Sequence, residues 1–202
     1  LRHLKRAGYR NLLTCPHPEL DLCEQVMVRR FFECYRPEYV FLTAAKVGGI
    51  WANSHYPVDF IRDNILIQAN VLESAQRFET KKLLLFGSSC FYPREAPQPI
   101  LETALLTGSP EPTNLAYAVA KIAGATMVKA YRQQYRLNAI CVVPTNTYGP
   151  SDNFDLQNSH VLPALLRKFH EANINQCAEV ILWGTGHPRR EFLYVDDLAE
   201  AL

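Results

Sequence analysis

No apolar run in these 202 residues approaches the ~20 consecutive apolar positions that an α-helix needs to cross a bilayer. A membrane-spanning reading is set aside on that ground. Charge of one sign is lacking as well: 21 Lys and Arg stand against 20 Asp and Glu, a net charge of +1, so no overall field draws the chain to nucleic acid or an anionic membrane. Any anionic ligand must be met by local groups. The six cysteines, at 15, 23, 34, 90, 141 and 177, form no Cys-x-x-Cys pair, and a chain of this length needs no disulfide staples. Reduced thiols follow, with Cys141 serving as a small buried apolar side chain inside Ala139-Ile140-Cys141-Val142-Val143. The opening Leu1-Arg2-His3-Leu4-Lys5-Arg6 has no apolar stretch and cleavage site of the secretory kind, so we expect a soluble, cytoplasmic protein.

What is present is ordinary globular composition, 48% hydrophobic and 20% charged, enough for one domain over residues 1–202. Strand-like runs recur: Asn11-Leu12-Leu13, Tyr39-Val40-Phe41-Leu42-Thr43, Lys82-Leu83-Leu84-Leu85-Phe86, Ile140-Cys141-Val142-Val143 and Glu179-Val180-Ile181-Leu182-Trp183. Their near-continuous apolarity suits strands covered on both faces of a parallel sheet. Helical patterns fill the intervals at residues 23–35, 57–79, 113–135 and 159–172, the second opened by Pro57 and apolar on more than one face. The alternation predicts an α/β fold, a Rossmann-like doubly wound parallel sheet. In such sheets ligands bind beyond the carboxyl ends of the strands, which gathers residues 44–49, 87–93, 144–150 and 184–190 around one site.

One further lack bears on that fold. A dinucleotide-binding chain is expected to present a first strand and a glycine-rich turn whose amides receive a pyrophosphate. Here residues 1–7 read as the helix that would follow that turn, so the expectation is a fold truncated at its first strand, a fragment with part of its substrate-binding region over 151–202.

The segment Tyr117-Ala118-Val119-Ala120-Lys121 places a phenol and an ammonium one helical turn apart, on one face. An ammonium there favours ionisation of the phenol and helps it trade a proton with a carbonyl oxygen. Ser88, 29 residues ahead in Gly87-Ser88-Ser89-Cys90, supplies a hydroxyl at the end of a strand. A surface helix carrying both residues by chance is the competing reading for an isolated pair.

The pair is not isolated. The segments Ala44-Ala45-Lys46-Val47-Gly48-Gly49-Ile50, Gly87-Ser88-Ser89-Cys90-Phe91-Tyr92-Pro93 and Glu111-Pro112-Thr113-Asn114 belong to the same pattern, with Pro144-Thr145-Asn146-Thr147-Tyr148-Gly149-Pro150, Asn158-Ser159-His160-Val161 and Arg190-Glu191-Phe192 further on. Together they resemble the GDP-L-fucose synthases, 3,5-epimerase-4-reductases of the extended short-chain dehydrogenase/reductase group. The resemblance runs from about residue 19 to 202 and implies a GDP-sugar substrate, GDP-4-keto-6-deoxymannose, with NADPH as cofactor. It implies that Tyr117 protonates the developing C4 alkoxide, that Lys121 lowers the phenol pKa and holds the nicotinamide ribose, and that Ser88 hydrogen-bonds the carbonyl oxygen. Cys90 and His160 become the acid-base pair for epimerisation at C3 and C5; a packed thiol and a helix N-terminal residue are the plain alternatives. Gly87, Ser88, Lys121, Pro144, Thr145, Asn146, Thr147 and His160 become cofactor contacts, Lys168, Trp183 and Arg190 substrate contacts, and no metal is implied. Lys168 stands where the family tends to have arginine, a point charge in place of a bidentate fork.

Departures from the family pattern leave alternatives open. Cys15-Pro16-His17-Pro18 stands where an arginine is expected near the adenosine 2'-phosphate, so NAD is not excluded beside NADP. Within enzymes, a nucleotide-sugar 4-epimerase or 4,6-dehydratase is the alternative, though a dehydratase needs a carboxylate pair where this chain has Ser89-Cys90. A non-catalytic truncated homologue acting as a binding partner is the reading from another class. A homodimer through the apolar helices 57–79 and 113–135 is expected.

Overall fold

The computed structural model describes residues 1–156, 159–182 and 184–202. In chain order the elements are α1 (Arg2–Arg6), α2 (Gln25–Tyr35), β1 (Tyr39–Leu42), α3 (Ile50–His55), α4 (Pro57–Arg77), β2 (Lys82–Phe86), α5 (Leu115–Tyr135), β3 (Ala139–Val142), β4 (Asn146–Tyr148), α6 (Val161–Ile174), β5 (Phe192–Tyr194) and α7 (Val195–Ala201). Three short 3-10 turns, Ser89–Phe91, Glu102–Ala104 and Pro112–Asn114, lie between β2 and α5.

Strands β1, β2 and β3 form a parallel sheet in that order, with Leu42 opposite Leu85 and Phe86 opposite Val142. The centre strand behaves as its composition requires: Leu83, Leu84 and Leu85 are 0 %, 4 % and 0 % exposed, buried on both faces of the sheet. One face carries the main core, where Val28 and Phe32 of α2, Val71, Leu72 and Ala75 of α4 and Val128 of α5 pack on Leu42, Leu83, Leu85 and Ala139. Each fully buried leucine contributes roughly 2 kcal/mol relative to exposure. This is the α/β, Rossmann-like arrangement expected from the alternation of elements.

Helix ends follow local chemistry. Pro57 opens α4 at its first turn, where its missing N–H is harmless. Arg36 and Arg136 close α2 and α5 in the left-handed region, at φ 45° and 58°, each returning its N–H to a carbonyl one turn back, on Phe32 and Tyr131. The buried positions of α4 are Phe60, Asn64, Gln68, Asn70, Val71, Leu72, Ser74 and Ala75; within them Phe60, Asn64, Gln68, Val71, Leu72 and Ala75 recur at three- and four-residue spacing, a stripe that turns polar at Asn64 and Gln68.

Two strand expectations are corrected. Residues 11–13 form no strand: an extended segment becomes a strand only against a neighbour, and among the described residues β1 is paired on one side alone. Residues 179–182 form none either, and Trp183 lies outside the described residues. A second small parallel sheet stands elsewhere, joining β4 to β5 with Asn146 opposite Phe192 and Tyr148 opposite Tyr194. It is braced by Asn146 Nδ2, which donates to Glu191 O at 3.1 Å. Gly149 admits the following helix closely, since a Cβ there would lie 2.4 Å from Val195 Cγ1.

Candidate active site

The carboxyl end of β2 is the place where the chemistry gathers. Gly87 extends the sheet by donating its N–H to Val142 O at 2.8 Å, and a Cβ on it would meet Phe91 Cε1 at 2.9 Å and Cys141 Sγ at 3.1 Å. The turn therefore closes tightly only on glycine. Ser88 then caps the 3-10 turn Ser89–Phe91, its Oγ accepting from Cys90 N at 3.3 Å. The same cap fixes the backbone of Cys90, whose thiol is free and half-buried.

Helix α5 brings Tyr117 and Lys121 to this turn. The Tyr117 ring stands edge-on to Phe60 of α4, centroids 6.3 Å apart at 81°. Burial pushes its phenol up to about 12; the neighbouring Ser88 hydroxyl pulls the other way, and the Cys90 thiol adds to the rise. Lys121 Nζ lies 5.8 Å from the centroid of the Tyr117 ring and donates to Phe86 O at 2.9 Å. The resemblance implied a phenol acidified by Lys121; here the ammonium sits over the ring and on a carbonyl, and burial dominates. A phenol held this way keeps its proton at neutral pH and is suited to giving it up only to a strongly basic alkoxide.

Lys121 is 4 % exposed, and among the described residues no carboxylate pairs with it. Burial lowers its pKa, with the Cys141 thiol acting weakly in the opposite sense. A lysine depressed in the fold costs stability while it is charged, and that cost fades as pH rises through its folded value toward the unfolded 10.5. Lys121→Met is therefore expected to raise stability at pH 7 by about 1 kcal/mol, roughly 2–4 °C in Tm, after allowing for the bond to Phe86 O. The gain should shrink in melts at increasing alkalinity; a variant less stable than the parent at pH 7 would contradict it.

The remaining candidates lie apart from this cluster or around it. Pro144 and Thr145 link β3 to β4, and Asn146 and Thr147 are in β4, so this stretch follows the strand next to β2. His160 is exposed at the N-cap of α6, where its carbonyl accepts from Ala164 N at 3.1 Å. Asn158 of the same motif, like Trp183, lies outside the described residues. Lys168 Nζ donates to Ile181 O at 3.3 Å, and Arg190 Nη1 turns back to Arg189 O at 2.7 Å. A cleft of about 580 Å³ between residues 12–20 and α2 holds none of the candidates. Chemistry rather than volume locates the site.

Residues not anticipated from the sequence hold the surroundings. Asn64, buried on α4, grips the main chain of Lys46 with both ends of its carboxamide: Oδ1 accepts from Lys46 N and Nδ2 donates to Lys46 O, each at 3.0 Å. Nδ2 also reaches Phe60 O at 2.7 Å. The loop after β1 is thus pinned beside the turn after β2. Asn53 secures the next bend, donating to Gly48 O and Gly49 O at 2.9 and 3.1 Å. The available signal for Asn64 was a carboxamide, repeated at Gln68, continuing the stripe of α4 that holds Phe60 and Val71.

Comparison with known proteins agrees with this geometry. The chain is 58% identical to GDP-L-fucose synthase 1 of Arabidopsis thaliana over 201 residues, covering 100% of this chain and 62% of that protein. It is 49% identical to the GDP-L-fucose synthase of Escherichia coli K12, covering 99% of this chain and 62% of that one. The chain thus spans somewhat under two thirds of the length of these relatives. Among solved structures, a GDP-mannoheptose C4 reductase from Campylobacter jejuni with NADP bound superimposes with a TM-score of 0.89 at 40% identity, over 99% of this chain and 68% of that one. Residues 1–202 match throughout, and this chain belongs to the NAD dependent epimerase/dehydratase family.

Proposed function

We propose that this chain carries the catalytic centre of a nucleotide-sugar epimerase-reductase that converts GDP-4-keto-6-deoxy-D-mannose to GDP-L-fucose with NADPH. The observation that supports this most is the convergence of Ser88, Tyr117 and Lys121 at the end of β2, with Cys90 in the same turn. The residues present fit a dinucleotide of this kind: Lys121 has three N–H bonds and gives one to Phe86 O, leaving donors for a ribose diol. Pro144, Thr145, Asn146 and Thr147 would flank the same end of the sheet, and His160 would approach from α6. Bound there, the reduced nicotinamide supplies a hydride to a carbonyl carbon.

What the chain's own groups do follows from their placement. Ser88 Oγ and the Tyr117 phenol would both address the sugar C4 oxygen, and the phenol's proton neutralises the alkoxide as it forms. Polarised in this way, the carbonyl acidifies the neighbouring C3 and C5 hydrogens, which Cys90 and His160 would remove and replace from opposite faces. Arg190 and Lys168 would meet the diphosphate and nucleotide. The apolar residues left exposed on α4 and α5, among them Val58, Leu66, Leu115 and Val119, support a homodimer packed through these helices. Among the described residues no helix is long and apolar enough to cross a membrane.

The test is the full-length protein in D2O with the 4-keto-6-deoxy GDP-sugar and NADPH. We expect loss of nicotinamide absorbance and a product carrying deuterium at both C3 and C5. Reduction without deuterium would make it a simple C4 reductase, and no reduction would reject the proposal.

A further inference from the structure

Gln68 is a buried polar residue with no part in the chemistry above. Its carboxamide is 2 % exposed, and its Nε2 donates to two carbonyls, Asn64 O on its own helix at 2.7 Å and Ala120 O on α5 at 2.9 Å. Those two acceptors settle which end of the amide is nitrogen, since the reverse orientation would set three oxygens together. The other end, Oε1, is buried and has no N–H or O–H partner among the described residues. It points instead at Gly124: a Cβ there would fall 2.0 Å from Oε1 and 2.6 Å from Cδ. A Cα hydrogen of Gly124 therefore meets Oε1, the weak C–H···O contact seen at close helix-helix crossings.

The position of this contact matters more than its strength. Tyr117, Lys121 and Gly124 are spaced i, i+4 and i+7 along one stripe of α5, and Ala120 adjoins Lys121. Phe60, Asn64 and Gln68 form the facing stripe of α4, with Phe60 against Tyr117 at one end and Gln68 in the Gly124 notch at the other. Asn64 carries the connection on to Lys46 and the loop after β1. Helices with smooth apolar faces can slide by fractions of an ångström; a side chain seated in a glycine notch and bonded to a backbone carbonyl cannot.

We propose that Gln68 is a positioning residue, which by filling the Gly124 notch and bonding Ala120 O sets the register of α4 on α5 and so the placement of Tyr117 and Lys121 against Ser88. The inference rests on reading Tyr117 and Lys121 as the proton-transfer pair.

Two measurements test it in the full-length protein. The first is a double-mutant cycle in Tm. Gly124→Ala is expected to lower Tm in the parent, because the methyl strikes Gln68, and to raise it in a Gln68→Ala background, where alanine's higher helix propensity prevails. Equal lowering in both backgrounds would overturn the notch. The second measurement uses 3,5-difluorotyrosine, a more acidic phenol, with 19F NMR titration and the Tyr117 signal identified by its loss in Tyr117→Phe. Gln68→Met is expected to move the Tyr117 midpoint by about half a unit. It should also lower kcat about tenfold with KM within about twofold, as displacement of a catalytic group does. A purely structural role would lower Tm and leave the midpoint and kcat in place, which would overturn the proposal. If Tyr117→Phe stays fully active, the proton-transfer reading fails, whereas a shifted midpoint would still uphold Gln68 as the residue that positions Tyr117.

Discussion

Tyr117→Phe is expected to lower the rate of C4 reduction about a thousandfold, within the span that a positioned general acid supplies, while deuterium exchange at C3 and C5 stays measurable. The substitution removes one oxygen and little else. The ring keeps its edge-on contact with Phe60 at 6.3 Å, and the helix that carries it keeps its packing. What is lost is the proton. Burial holds the phenol at about 12, above its usual 10, so it stays protonated throughout the neutral range and acts as a donor, with Ser88 the neighbour that eases its ionisation. The sign of the pH dependence follows. Below the folded value the acid form is intact, and reduction should not fall through ionisation of this tyrosine between pH 7 and 10. Above pH 10 the unfolded phenol ionises before the folded one, so this group costs the fold stability between about 10 and 12. Stopped-flow loss of nicotinamide absorbance and mass spectrometry of recovered sugar separate the two activities. Parallel collapse of reduction and exchange in Tyr117→Phe would show that the phenol serves both, against the division of labour proposed above.

The parts of this fold that were legible in the sequence are those whose causes are local. Lys82–Phe86 is a run of four apolar residues behind a lysine, and it appears as the buried centre strand with the expected bounds. Pro57 announced the start of α4, and the four-residue spacing of Tyr117 and Lys121 needed only a helix to become a shared face. Residues 11–13 and 179–182 are as apolar as some true strands, yet strand formation depends on a neighbour that composition does not reveal. Conversely Asn146–Tyr148 and Phe192–Tyr194 pair across more than forty residues, a long-range match with no pattern of its own in so few positions. The candidate side chains were legible and their supports were not. Asn64 and Gln68 interrupt an apolar stripe, which in a sequence reads as a helix face turning to solvent; only the fold shows that Lys46 and Ala120 present main-chain groups there. The bond from Lys121 to the carbonyl of Phe86 was hidden for the same reason, because that acceptor is contributed by another element.

Cys90→Ser and His160→Gln are each expected to lower deuterium exchange by about a hundredfold or more while sparing reduction of the 4-keto group. Serine preserves the size of the side chain and the turn, because the cap that holds residue 90 is made by its backbone N–H to Ser88 Oγ at 3.3 Å. It replaces a thiol with a hydroxyl, a much weaker acid and a poorer proton shuttle. Glutamine at 160 keeps a polar side chain at an exposed N-cap, where the main chain already supplies the bond to Ala164, so folding should be unaffected. An imidazole can both accept and release a proton and an amide does neither, so the loss at 160 should fall on exchange and not on reduction. The two groups come from separate elements, Cys90 from the turn after β2 and His160 from the head of α6, as removal and return of protons on opposite sugar faces requires. In D2O each variant should yield a 4-reduced sugar poor in deuterium, the inverse of Tyr117→Phe. Full exchange in both variants would remove Cys90 and His160 from the epimerisation step and leave the Ser88, Tyr117 and Lys121 cluster as a reductase alone.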